Sequence, residues 1–572
     1  MPELYAAARE KIKKHLEEIY GKRIGKEFLT RLFQLIEENI KNISCPLKKW
    51  DQHDIVLITY GDSIKEKNEK PLVTLKKFLS THLENEIEIA HILPFFPYSS
   101  DEGFSVINFY EVNPELGEWR DIKEINKSFD LMFDLVINHI SKESEWFQNF
   151  LKRRNPGKNY FIETDTETDL SSVTRPRSTP VLTAYNTTEG KKYVWTTFSE
   201  DQIDLNFKNP WVLFEIFRIL FFYIQKGARI IRLDAIAYLW KKPGTSSIHL
   251  EETHAIVKLI RQLTEVVDPN VIILTETNVP HLENLSYFGK NYNEAEMIYQ
   301  FPLPPLLLYT LHTGKSDHIV KWTKSIPETA GKGTFLNFTA SHDGIGVRPL
   351  EGLLSENEKT ALFNKMKKFG GFISKKTNTD GSESPYEINI TYLDALKDTS
   401  EGADNIQVKR FLCSQTIMLA LKGIPAFYIH SLLATENYQE GAKQTGEYRT
   451  INRKKIEYYK ISRKLNDKNT KEYFIFNELK YLIQLRKGEA AFHPDSKQKV
   501  MNLKNSFYGL IRTAENGETI YSVSNITGRP QSLEYDFPEK NAVYIDLINR
   551  EKFQTGSIIY FSEYQTRWLK KF

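Results

Sequence analysis

Ala228-Arg-Ile-Ile-Arg-Leu-Asp234 is an apolar run that carries an arginine and, two residues further on, ends in a carboxylate. Two later apolar runs end in the same way, Val271-Ile-Ile-Leu-Thr-Glu276 and Thr334-Phe-Leu-Asn-Phe-Thr-Ala-Ser-His342-Asp343. Short β-rich runs that alternate with helical stretches indicate a parallel sheet or barrel, whose chemistry sits at the C-terminal ends of its strands. Any one of these acids alone would serve as a helix N-cap or an ion-pair partner. Three of them at strand ends converge on one pocket.

Working outward, eight apolar runs can be placed: 55–60, 87–93, 131–137, 229–233, 271–275, 297–301, 335–339 and 426–429. Amphipathic segments at 211–225, 251–267 and 408–421 suit covering helices. Eight strands with intervening helices imply an α/β fold, a (β/α)8 TIM barrel, expected over 51–494. The gap from His139 to Asp234 is too long for one helix and is rich in Thr, Ser, Pro, Asn and Lys, so an inserted subdomain is expected at about 140–205. A second polar gap, with Gly370-Gly371 and Asn378-Thr-Asp-Gly-Ser-Glu-Ser-Pro385, reads as a loop-rich, lid-like insertion at about 346–405. Residues 1–50 read as a helical extension packed outside the main domain, with apolar positions Ile12, Leu16, Ile19, Phe28, Leu32, Leu35 and Ile36. Short alternating runs after about residue 495 predict a C-terminal antiparallel β domain, 495–572.

Composition narrows the function classes. The 572 residues are 40% hydrophobic and 26% charged, as in an ordinary globular protein. With 77 basic and 74 acidic residues the net charge is +3, which gives no reason to propose nucleic acid or a membrane surface as partner. Cys45 and Cys413 are the two cysteines, so neither a disulfide framework nor a thiolate metal site is indicated, and a reducing cytoplasm fits. The N-terminus lacks a signal-peptide pattern, and no stretch approaches the ~20 apolar residues that span a bilayer. Oligomeric state is not legible in these residues.

At this point the motifs resemble a known family. Leu135-Val-Ile-Asn-His139, Arg232-Leu-Asp234, Glu276 and His342-Asp343 look like the four short sequence regions of the α-amylase superfamily, glycoside hydrolase family 13, in their usual order. Leu93-Pro-Phe-Phe-Pro-Tyr-Ser-Ser-Asp101-Glu-Gly-Phe104, Trp195-Thr-Thr-Phe198-Ser-Glu-Asp-Gln202 and His342-Asp-Gly-Ile-Gly346 are similar to its sucrose phosphorylase branch, which passes a glucosyl group from an α-glucoside to inorganic phosphate.

Cleaving a glycosidic bond with retention needs a carboxylate nucleophile and an acid that protonates the leaving oxygen, about 5–5.5 Å apart. Asp234 is the expected nucleophile, held ionised by Arg232, whose i, i+2 spacing puts both side chains on one strand face. Glu276, flanked by uncharged Thr275, Thr277 and Asn278, is the expected general acid and then base, in a cation-poor setting that keeps its proton. The resemblance makes Asp343 the group that stabilises the transition state through sugar hydroxyls. It also makes His139 and His342 hydroxyl binders, Phe104, Phe198 and Tyr238 aromatics that stack on the sugar or shield the intermediate, and Gln202 a polar neighbour of the glucosyl unit. Asp101 and Arg453 resemble the pair that closes the far side of the glucose ring, with Arg449 the alternative to Arg453.

One departure bears on the acceptor. Sucrose phosphorylases read Glu-Ile-His where this chain reads Glu276-Thr-Asn278-Val-Pro-His281, which with Asn284-Leu-Ser-Tyr-Phe-Gly289 resembles the glucosylglycerate phosphorylase members of the branch. Glycerate bears a carboxylate, which calls for fixed donors and positive charge; Arg175, Arg177 and Arg348 are the candidates for acceptor or phosphate. The resemblance implies no cofactor and no metal, with phosphate as co-substrate. Phosphorolysis of sucrose or a phosphorylated sucrose, hydrolysis of α-glucosides, and a noncatalytic sugar-binding subunit are the alternatives; three intact acids argue against the last.

Overall fold

The computed structural model describes residues 2–40, 49–378, 381–400 and 404–572. Cys45 lies outside them. Its centre is a closed barrel of eight parallel strands: β1 (Val56–Thr59), β2 (Ile89–Ile92), β3 (Asp130–Leu135), β4 (Ala228–Leu233), β5 (Ile272–Thr275), β6 (Met297–Tyr299), β7 (Thr334–Phe338) and β8 (Ile424–Tyr428). Each strand pairs with its neighbours in the chain, and β8 closes on β1. The strands are buried along their whole length except at Asp130 and Arg229, at the start of β3 and β4. That pattern is why they read as continuous apolar runs: helices cover the outer face and side chains fill the inner one. Arg229 ties that end of the barrel together, with Nη1 2.6 Å from Asp54 Oδ1 and 2.9 Å from Asp130 Oδ2.

The covering helices begin where their local chemistry directs. Pro210–Gln225 starts with Pro at its first position, and its N-cap, Asn209, accepts a hydrogen bond from Trp211 N at 3.1 Å. Glu251–Val267 and Gln407–Ala420 follow the expected segments. Two N-terminal helices, α1 (Pro2–Tyr20) and α2 (Lys26–Glu37), belong to the same core rather than standing apart from it. Their stripe of Ile12, Leu16, Tyr20, Phe28, Leu32 and Ile36 is buried, and the Phe28 ring meets Trp211 edge-on at 5.4 Å. Truncating one such residue, Leu32→Ala for instance, costs about 2–5 kcal/mol.

Between β3 and β4, His139–Ser141 pairs antiparallel with Gln202–Asp204, and a hairpin joins Leu182–Thr187 to Gly190–Trp195. The segment after Asp343 is more regular than its turn residues suggest. It holds the helix Glu356–Lys368, started by a capping box between Ser355 and Glu358, and a three-stranded sheet ordered Ile345–Gly346, Glu383–Asn389, Phe372–Thr377. Leu362, Phe363 and Met366 give that helix its apolar face.

The chain ends in a six-stranded antiparallel sheet ordered Lys497–Val500, Phe507–Thr513, Thr519–Asn525, Thr566–Lys571, Val543–Asp546, Lys552–Gln554. It has an apolar cluster of its own around Phe507, Tyr521, Phe537 and Leu569. Buried Arg512 fastens it to the barrel by donating to the carbonyls of Ala420 and His493 at 2.8 and 2.7 Å.

Candidate active site

Asp234 follows the last residue of β4, and the backbone turns sharply after it. Ala235 takes a left-handed conformation, φ 48°, sparsely populated for a residue with a Cβ. The turn aims the Ala235 N–H at Glu276, whose Oε2 accepts it at 3.0 Å. Arg232 and Asp234, two apart on one strand, face the same way, and Arg232 Nη1 lies 2.7 Å from Asp234 Oδ1. The same nitrogen donates to Asp134, its register partner on β3. Asp134 Oδ2 in turn lies 2.6 Å from His91 Nε2 on β2. His91, Asp134, Arg232 and Asp234 thus form a buried chain across three adjacent strands. Burial works against the charge on Asp134, yet His91 and Arg232 hold its pKa down to about 2.

Burial pushes the carboxyls of Asp234 and Glu276 upward; Arg232 opposes this at both, and neighbouring carboxylates reinforce it. Two like groups in one buried site keep a proton between them. Geometry assigns that proton to Glu276. Asp234 sits 2.7 Å from the guanidinium, whereas Glu276 Oε2 is 3.9 Å from Arg232 Nη2 and has one backbone donor. The setting of Glu276 is therefore not cation-poor as its sequence neighbours suggest. Burial and the nearby carboxylates, not the absence of an arginine, favour its protonated form.

Asp343 lies beyond β7, opposed by two arginines from the turn Tyr448–Asn452 and its cap, which follow β8. Arg449 Nη1 is 2.6 Å from Asp343 Oδ1, and Arg453 Nη2 is 3.9 Å away. Burial raises Asp343, but the charged guanidinium groups of Arg449 and Arg453 outweigh it and set its pKa well below the usual carboxylate range. Arg449 also donates through Nε to Glu387 at 3.1 Å. It is Arg449, not Arg453, that lines the cavity. Arg453 is buried behind it, donating from Nε to the His342 carbonyl at 2.8 Å, with Nη1 3.8 Å from Asp101. Spacing alone could not separate the two arginines, since both leave the same short turn.

The remaining expected residues meet around these acids. Asp101 has a left-handed backbone, φ 52°, in the turn Asp101–Gly103 after β2, and Phe104 stacks flat on His342 at 4.8 Å between ring centroids. His139 Nε2 lies 2.9 Å from the Phe104 carbonyl and 3.2 Å from Gln202 Nε2. Phe198 packs edge-on against Tyr238, centroids 5.5 Å apart. Burial lowers the pKa of both His139 and His342, so they are neutral imidazoles. Asp101, Phe104, His139, Phe198, Gln202, Tyr238, Asn278 and His342 line one cavity with Asp234, Glu276 and Asp343. Arg177 joins this wall, its guanidinium 5.9 Å from the Tyr386 ring centroid. Arg175 is half-buried and has no place in the wall, and Arg348 stands behind Tyr238. Sequence reasoning missed His91, Asp134, Tyr386 and Glu387. An acid inside the apolar run 131–137 was the available signal for Asp134; Glu387 gave none, because its strand joins the site through a distant pairing.

A closed (β/α)8 barrel with three carboxylates at the C-terminal ends of its strands defines the class, a glycosidase-type catalytic barrel. The model of the alpha-amylase catalytic domain matches residues 86–344. The glucosylglycerate phosphorylase of Escherichia coli is 40% identical over 98% of this chain and 100% of that protein. That of Spirochaeta thermophila is 42% identical over 91% of this chain and 89% of its own. The crystal structure of sucrose 6F-phosphate phosphorylase from Thermoanaerobacter thermosaccharolyticum superposes with a TM-score of 0.74 at 25% identity, covering 91% of this chain and all of that one. The chain belongs to the α-amylase family, in the group that contains these phosphorylases.

Proposed function

We propose that the protein is a retaining phosphorylase that transfers an α-glucosyl unit from 2-O-α-glucosylglycerate to inorganic phosphate. The likeness to glucosylglycerate phosphorylases along nearly the whole chain supports the substrate. The observation that carries the mechanism is the unequal treatment of two carboxyls: Asp234 is paired at 2.7 Å with Arg232, while Glu276 lies beyond that guanidinium's hydrogen-bond reach.

In the first step Glu276 gives its proton to the glycosidic oxygen while Asp234 attacks C1; glycerate leaves and a β-glucosyl ester forms on Asp234. In the second step a phosphate oxygen attacks C1 from the opposite face, its proton passes to Glu276, and the ester bond to Asp234 breaks. The products are glycerate and α-glucose 1-phosphate. Asp343, kept ionised by Arg449, accepts hydrogen bonds from sugar hydroxyls that strengthen as positive charge develops on the ring. His139, Gln202, Phe104 and His342 hold the ring, Asp101 with Arg449 closes its far side while Arg453 supports Asp101 from behind, and Phe198 and Tyr238 shield the ester. The reaction needs only these groups and phosphate as co-substrate, and we place it in the cytoplasm.

The test is a panel of glucosylglycerate, sucrose and sucrose 6F-phosphate, each incubated with phosphate and scored for glucose 1-phosphate and free glucose. Glucosylglycerate should be phosphorolysed fastest. Turnover of sucrose with none of glucosylglycerate would overturn the substrate, and free glucose in place of the ester would make the enzyme a hydrolase.

A further inference from the structure

A guanidinium with unused donors stands behind Tyr238, just outside the cavity wall and on the side where the leaving group must sit. Arg348 opens the short turn Arg348–Leu350, just after the strand Ile345–Gly346. Its side chain is 11% exposed, and its Nε and Nη1 are buried without a hydrogen-bond partner among the described residues. The carboxylates around it stop short: Glu283 Oε2 is 4.0 Å from Nη2, and Glu351 Oε1 is 3.7 Å from Nε. Both separations exceed a hydrogen bond, and both glutamate side chains are a little under half exposed.

Two features place this arginine next to the cavity wall: its own proximity to Tyr238, and the packing of its strand against Asn278. Burial raises the Tyr238 phenol, and Arg348 beside it is the strongest opposing group. Gly346, two residues before Arg348, packs against the Asn278 amide so closely that a Cβ there would lie 2.2 Å from Asn278 Oδ1. Tyr238 and Asn278 both line the cavity, and Asn278 lies two residues beyond Glu276, the group proposed to protonate the leaving oxygen. Arginine presents five N–H donors in a planar fork that matches a carboxylate in bidentate geometry. Leaving such donors buried and unpaired in the free protein is costly, and an anionic ligand relieves it.

We infer that Arg348 recognises the carboxylate of the hydroxy-acid acceptor and so sets acceptor specificity, an inference that rests on the phosphorylase reading above. Phosphate is the other anion that visits the cavity, so the test separates the two. Wild-type, R348Q and R348K enzymes are compared in transfer from glucose 1-phosphate to glycerate. The same three are compared in exchange of labelled phosphate into glucose 1-phosphate, which needs no acceptor. R348Q should raise the KM for glycerate by about tenfold or more, the loss of one charge-assisted contact. Its exchange rate should stay within about twofold, and R348K should recover part of the glycerate affinity. Unchanged glycerate KM in R348Q, or transfer and exchange falling together, overturns the role of Arg348. A wild-type enzyme that exchanges phosphate but transfers nothing to glycerate overturns the substrate reading as well.

Discussion

Arg232 Nη1 lies 2.7 Å from Asp234 Oδ1 and at the same time donates to Asp134, so one guanidinium nitrogen serves two carboxylates on adjacent strands. Asp134 is completed by His91 at 2.6 Å. Removing its charge would leave His91 and Arg232 buried and short of a partner. Asp134→Asn is expected to lower stability by about 3–5 kcal/mol, the cost of breaking a buried pair, and to lower kcat by letting Arg232 shift from Asp234. Thermal unfolding with steady-state kinetics checks this; an unchanged melting temperature would show that the chain of contacts contributes nothing.

The pH dependence follows from the raised pKa of Glu276. The first step needs Glu276 protonated, so kcat/KM should fall as pH rises through its pKa, on the alkaline side of the profile. Glu276→Gln should cost about 10²- to 10⁴-fold in phosphorolysis and abolish that alkaline limb. The loss should be much smaller for a glucosyl donor with a leaving group that needs no proton. A limb that persists in the variant would assign it to another group.

Arg449 bonds both Asp343, at 2.6 Å, and Glu387. Arg449→Ala should therefore raise the pKa of Asp343 toward its ordinary value, reduce kcat/KM, and destabilise the fold by about 3–5 kcal/mol as two buried carboxylates lose their partner. Arg449→Lys keeps the charge without the fork and should recover only part of each effect. Kinetics and thermal unfolding on the two variants measure this; full activity in Arg449→Ala would contradict it.

The eight barrel strands were legible because a strand covered on both sides is apolar throughout, and seven covalent connections between them follow chain order. The three acids were legible because each ends such a run. What was not legible depends on contacts between distant segments. Glu383–Asn389 pairs with Ile345–Gly346 across a polar gap, so neither the sheet nor Glu387 leaves a local pattern. Arg449 and Arg453 share one turn, and only packing puts Arg449 on the cavity and Arg453 behind it. Likewise the proximity of Arg232 to Glu276 comes from strand register, not from the residues that flank Glu276 in sequence.

Gly346 gives a mutation whose effect should be confined to the acceptor. Its backbone does not require glycine, as its φ is not in the left-handed region, but an added Cβ would lie 2.2 Å from Asn278 Oδ1 and displace that amide. Gly346→Ala should raise the KM for glycerate by a few-fold, on the order of one lost hydrogen bond, with little change in phosphate exchange. Equal losses in both reactions would mean that the strand itself had moved.

The central claim is tested most directly by ³¹P NMR of wild-type enzyme acting on 2-O-α-glucosylglycerate in phosphate. Double displacement through Asp234 predicts a growing signal of α-glucose 1-phosphate, matched mole for mole by glycerate and absent in Asp234→Asn. The β anomer, or free glucose with the phosphate signal unchanged, would contradict it.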